Sequence, residues 1–79
     1  DFSLFPNPNN GTFSLQYAGI ITKPLMLSIT DVCGKLTDKV EIKNQTTNYE
    51  NTSLMNGLYF YSLRNGDEEV KRGKIMVVK

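Results

Sequence analysis

Apolar side chains recur at every second position in a series of short stretches. Phe13, Leu15 and Tyr17 alternate with Ser14 and Gln16, and Leu25, Leu27 and Ile29 alternate with Met26 and Ser28. Val40 and Ile42 are set among Lys39, Glu41 and Lys43, so the first pair is expected inside and the three charges outside. Tyr59, Tyr61 and Leu63 share one face of residues 58–64, and Ile75 and Val77 share one face of residues 74–79, opposite Met76 and Val78. A period of two is the period of a pleated strand, and no stretch carries the 3.6-residue stripe of an amphipathic helix.

The breaks between these stretches are as regular as the stretches themselves. Pro6-Asn7-Pro8-Asn9-Asn10-Gly11 is a turn cluster in which proline fixes φ and glycine permits φ above zero. Others fall at Lys23-Pro24, at 31–34, at 44–48, at Asn56-Gly57 and at Asn65-Gly66. They predict strands over residues 2–5, 12–17, 25–30, 39–43, 58–64 and 74–79, with a weaker one over 49–54. Residues 25–30 and 36–43 form a hairpin around Gly34, and residue 58 onward forms another around Asn65-Gly66. The fold class expected is all-β: a small antiparallel β-sandwich of about seven strands, immunoglobulin-like.

Length and composition narrow this picture. Seventy-nine residues make one domain, 1–79, with a thin core and an expected stability of about 3–5 kcal/mol. Cys33 is the only cysteine, so no disulfide staples the fold; it is expected as a small half-buried side chain near a turn. Nine basic and eight acidic residues are scattered along the chain, which leaves no electrostatic footprint for nucleic acid. Apolar runs such as Ile75-Met76-Val77-Val78 are far too short to span a bilayer, so no direct membrane insertion is expected. The chain opens on Asp1-Phe2-Ser3 without a start methionine, which reads as a piece cut from a larger protein; if the domain is exported, its export signal is expected upstream on that precursor.

The chemistry of catalysis is thin. Histidine is absent, which removes the usual general base, the common nucleophile pairs and the commonest metal ligand. A single cysteine builds no zinc cluster, and the glycines stand too far apart for a phosphate loop. Asp67, Glu68 and Glu69 form the only acidic run and read as a solvated hairpin loop. Tyr59 and Tyr61 read as core residues with their hydroxyls at a sheet edge. No enzyme, metal or cofactor is expected.

Three stretches, taken in order, resemble the type A C-terminal sorting domain of the type IX (Por) secretion system of Bacteroidetes. Leu4-Phe5-Pro6-Asn7-Pro8, followed by Gly11 and Phe13, is similar to that family's opening motif of an aromatic residue before Pro-Asn-Pro. Leu54-Met55-Asn56-Gly57-Leu58-Tyr59 resembles its Leu-x-x-Gly-x-Tyr motif. Lys74-Ile75-Met76-Val77-Val78-Lys79 resembles its closing lysine-rich, β-branched strand, and Gly34-Lys35 falls where the family places a hairpin glycine. The resemblance covers the whole chain; the charged stretch 67–73 and Cys33 depart from the pattern without touching the motifs.

The resemblance implies a sorting signal carried by Phe5, Pro6, Asn7, Pro8, Gly11, Gly57, Tyr59, Lys74, Ile75, Val77 and Lys79. It implies a passenger protein fused to the domain, transit through the periplasm, and docking to the type IX outer-membrane translocon and its carrier proteins. A sortase-like cysteine peptidase then removes the domain, and the passenger is secreted or held at the cell surface. Both faces of 74–79 carry apolar groups, so one can fill the core while the other is left for a partner. The alternative is an immunoglobulin-like accessory module, carbohydrate-binding or a spacer, on a surface or secreted enzyme.

Overall fold

The computed structural model describes residues 2–79. Seven strands follow one another without an intervening helix: β1 (Phe2–Phe5), β2 (Thr12–Tyr17), β3 (Leu25–Thr30), β4 (Leu36–Ile42), β5 (Thr46–Glu50), β6 (Gly57–Asn65) and β7 (Glu68–Val77). They pair antiparallel in two sheets, one of order β1-β2-β5 and one of order β4-β3-β6-β7. The alternation read along the chain is what lets the sheets stack. Phe2, Phe13, Leu15 and Tyr49 face inward from the first sheet, and Leu25, Leu27, Ile29, Ile42, Leu63, Ile75 and Val77 from the second. Each fully buried aliphatic or aromatic side chain contributes about 1.5–3 kcal/mol of transfer free energy, so this shared layer is what holds the sheets together. Phe13 and Tyr49 stack at 4.6 Å, and Phe2 tilts against Tyr61 across the interface at 5.7 Å.

Five expectations are corrected. The fifth strand is Thr46–Glu50 rather than 49–54. The Asn51 side chain accepts from the Ser53 N–H, and its carbonyl from the Leu54 N–H, so the chain turns there and drops Leu54 into the core from a loop. The last strand begins at Glu68, well before Lys74, and ends at Val77. Of the acidic run only Asp67 lies in the hairpin turn, Gly66-Asp67, and Glu68 and Glu69 belong to β7. Gly66 has φ 62 at the first central position and, among the described residues, no non-glycine residue has positive φ, as a type II′ hairpin turn requires. Finally, Cys33 is exposed, its N–H donating to Asp31 Oδ1. Val40 is only half-buried, while its neighbour Ile42 is fully inside.

Two irregularities matter further on. Val70 is an extra residue in β7, because Lys71 pairs with Leu63 and Glu69 with Arg64. This bulge turns Glu69 to the outer face of the four-stranded sheet. Gly73 lies opposite Tyr61, whose ring crosses it so closely that a Cβ at Gly73 would stand 2.6 Å from the Tyr61 hydroxyl oxygen.

Candidate functional site

β7 is the edge strand of its sheet, and its last residues are the most apolar stretch of the chain. Ile75 and Val77 point into the core and are buried. An exposed edge of this composition invites pairing with another chain. Here the edge is covered by the turn cluster that follows β1. The Asn7 side chain lies against it: Nδ2 donates to the Lys74 carbonyl at 2.8 Å, and Oδ1 accepts from the Met76 N–H at 2.9 Å. One step on, the main chain of Asn9 does the same. Its N–H donates to the Met76 carbonyl at 2.9 Å, and its carbonyl accepts from the Val78 N–H at 2.7 Å, in a parallel bridge to Val77. A side-chain amide and a peptide group thus supply two successive rungs of a parallel ladder. The Phe5-Pro6 and Asn7-Pro8 peptide bonds in this segment are cis.

The clasp is braced from behind. The Asn9 side chain is 6% exposed, donating from Nδ2 to the Pro6 carbonyl at 3.1 Å and accepting the Gly11 N–H at 2.8 Å. Its polar atoms are therefore satisfied inside, as burial of an amide demands. Gly11 accepts the Asn51 N–H at 2.9 Å and adopts φ 101. A Cβ there would lie 2.7 Å from the Asn51 carbonyl oxygen, so both backbone conformation and space select glycine.

The middle motif meets the same strand from its other side. Gly57 pairs with Val77 and Tyr59 with Ile75 in the β6–β7 ladder. Tyr59 is buried, and its hydroxyl donates to the Met55 carbonyl at 2.8 Å, closing the loop that carries Leu54. Asn56 Oδ1 accepts the Lys79 N–H at 2.9 Å, and Lys79 Nζ donates to the Thr52 carbonyl at 2.7 Å. With Asn10 and Thr52, Val78 and Lys79 line an open depression of about 520 Å³.

The motif residues predicted from sequence therefore converge. Asn7, Gly57 and Tyr59 surround Lys74, Ile75, Val77 and Lys79, while Pro6, Pro8 and Gly11 shape the clasp. Phe5 ends β1 half in solvent. Met76 and Val78 are the exposed apolar residues of the terminal segment, at 38% and 56%. Sequence reasoning missed Asn9, Asn51 and Asn56.

Electrostatically this end of the molecule is plain. Among the described residues no group of three His, Cys, Asp or Glu side chains comes together to hold a metal ion. The perturbed groups lie elsewhere. Burial, then the Asp38 hydrogen bond, pushes the Tyr49 hydroxyl up to about 12, and burial raises Tyr61. The Arg72 hydrogen bond, then that of Ser62, holds the Glu69 carboxyl below its ordinary value.

A small two-sheet β-protein whose opening turn and middle motif both close on its C-terminal strand is a module organised around that strand. Residues 3–79 match the family described as the secretion system C-terminal sorting domain, and the chain belongs to that family, the sorting domains of type IX secretion. No curated protein matches the chain.

Proposed function

We propose that this domain is a cargo tag: a ligand of the export machinery, not a catalyst. Its precursor crosses the inner membrane on an ordinary signal peptide and folds in the periplasm. The domain, as one unit over 1–79, then docks to the outer-membrane translocon and its carrier proteins. After export a sortase-like cysteine peptidase cuts upstream of it, and the passenger is released or joined to anionic lipopolysaccharide. The observation that carries this reading is the arrangement of the family's motifs. All three meet at the terminal strand, whose inner residues Ile75 and Val77 fill the core while Met76 and Val78 stay exposed. The clasp occupies the backbone edge at 74–78, so a partner meets this strand through side chains rather than by adding a strand of its own there.

The test is a reporter fused to residues 1–79 in a host with this secretion system, which should be exported and lose the tag. Met76→Thr with Val78→Thr should leave the melting temperature close to that of the parent, within about ±0.5 kcal/mol, because both side chains face solvent. The same pair should lower export and processing. Full-yield export of this folded variant would rule out docking through the terminal strand.

A further inference from the structure

The outer face of the four-stranded sheet forms an ordered grid. Lys39, Ser28, Ser62 and Arg72 lie directly opposite one another across β4, β3, β6 and β7. The row beside it runs Thr30, Phe60 and Lys74. Ser28, Thr30 and Ser62 are short and set the floor low, while Phe60, Arg72 and Lys74 rise around them and enclose a trough of about 500 Å³. Its polar walls are built rather than merely exposed. Glu69, brought to this face by the Val70 bulge, accepts from Arg72 Nε at 2.6 Å and from the Ser62 hydroxyl at 2.9 Å. Arg64 stands 3.8 Å from the same carboxylate. The one other acid on this face, Glu41, is turned to Lys43 at 3.4 Å. Lys39, Arg64, Arg72 and Lys74 thus outnumber the carboxylates, on a domain whose formal net charge is only +1.

We propose that this face takes an extended acidic segment of a protein partner, laid across the strands from Arg72 at the trough to Lys39 on β4 beyond its rim, with a carboxylate on each cation and its backbone over Ser28 and Ser62. The spacing argues for a peptide. Three strand-to-strand steps of about 4.8 Å separate β4 from β7, and an extended chain covers about the same span in four residues. Acidic side chains at positions i and i+4 lie on one face of such a chain and reach both cations. Complementary charge at this distance selects register and partner more than it adds affinity. Phe60 is the only aromatic ring lining the trough that is substantially exposed, which gives a sugar little to stack on. Assigning the partner to the export machinery rests on the sorting reading above; the chemistry of the trough does not.

The experiment titrates the isotope-labelled domain, followed by NMR, with the peptide Glu-Thr-Ser-Thr-Glu, blocked at both ends. Saturable shifts are expected at Ser28, Lys39, Ser62 and Arg72, fading when salt is raised to about 0.5 M. The isomer Thr-Glu-Ser-Glu-Thr, of equal charge, should bind about threefold more weakly because its carboxylates cannot reach both cations. Lys39→Gln with Arg72→Gln should weaken binding about tenfold, whereas Lys23→Gln with Lys35→Gln, the same charge removed elsewhere, should not. Shifts spread evenly over all lysines, equal binding of the two isomers, or tighter binding of a sulfated disaccharide at the same residues would each overturn the proposal. The two glutamine pairs are then compared on the exported reporter. Loss of export for the Lys39/Arg72 pair alone, at unchanged melting temperature, supports the partner assignment; full export of that pair overturns it. Failure of the unaltered tag to export its reporter would instead refute the sorting reading, with the peptide titration still deciding the trough.

Discussion

Where the turn cluster after β1 lies along β7 the sandwich is closed by ladder rungs, one from the Asn7 amide and one from the Asn9 main chain; where β5 lies over β4 it is closed by a hydrogen bond between side chains. On the first side, Asn7 and Asn9 extend the ladder of β7 by two rungs. On the second, the Tyr49 hydroxyl donates to Asp38 Oδ2 at 2.6 Å and accepts from Asn51 Nδ2 at 3.1 Å. The difference follows from what each edge strand is made of. The end of β7 is apolar and would template aggregation if bare, so it is covered. β4 carries Asp38, Lys39 and Glu41, which guard an edge by charge, and a hydrogen bond across the sandwich is enough there. A clasp of peptide-like rungs also fixes register and direction, which a pair of side chains does not.

If that contrast is right, the two sides should fail differently. The largest effect is expected for Gly11→Ala. The new methyl meets the Asn51 carbonyl oxygen and the backbone must hold a φ that alanine avoids, so a loss of about 3 kcal/mol is expected in denaturant melts. Because that loss approaches the whole stability of a domain this size, the variant should be largely unfolded near body temperature. A variant that melts like the parent would mean that the clasp contributes little.

Tyr49→Phe should cost about 1 kcal/mol, the usual net worth of one hydrogen bond with a partner left behind. It should also change the response to alkali. The Tyr49 hydroxyl titrates near 12 when folded and near 10.0 ordinarily, so the folded chain holds a proton that the unfolded chain has released. Stability is therefore intact below about pH 10 and declines as pH rises toward 12. In Tyr49→Phe that decline should be shallower, with Tyr61 supplying part of what remains. Unchanged alkaline melts would place the titrating contact elsewhere.

Asn7→Asp is the smallest and the most selective. It keeps the acceptor for the Met76 N–H but replaces the donor to the Lys74 carbonyl by a second acceptor. On an exposed contact the loss should be about 0.5–1 kcal/mol, recovered in part when acid protonates the new carboxyl. Hydrogen exchange should show faster opening of Met76 and Val78 than of Ile75 in this variant, because only the clasped edge is loosened.

The alternation of apolar and polar residues was sufficient to place most of the strands and to sort inward from outward residues. That sorting succeeds because a strand with one face buried exposes each choice of side chain to a large transfer free energy. The hairpin at residue 66 was visible too, though offset by one, since the choice between Asn65-Gly66 and Gly66-Asp67 depends on how the strands twist beyond the turn. The motif residues were legible as motifs, but not as a site. That Asn7 imitates a strand partner for Lys74 and Met76 is a relation over 67 residues or more of sequence, and no local pattern encodes it. The same is true of Gly73, whose missing side chain makes room for the ring of Tyr61. It holds as well for Glu69, which local alternation assigns inward and one extra residue at Val70 turns outward. Local periodicity decides which face a residue prefers, because solvent transfer acts on each side chain alone. Which backbone edge is left to be covered, and by which amides, is decided only when the two sheets stack and their ends are brought together.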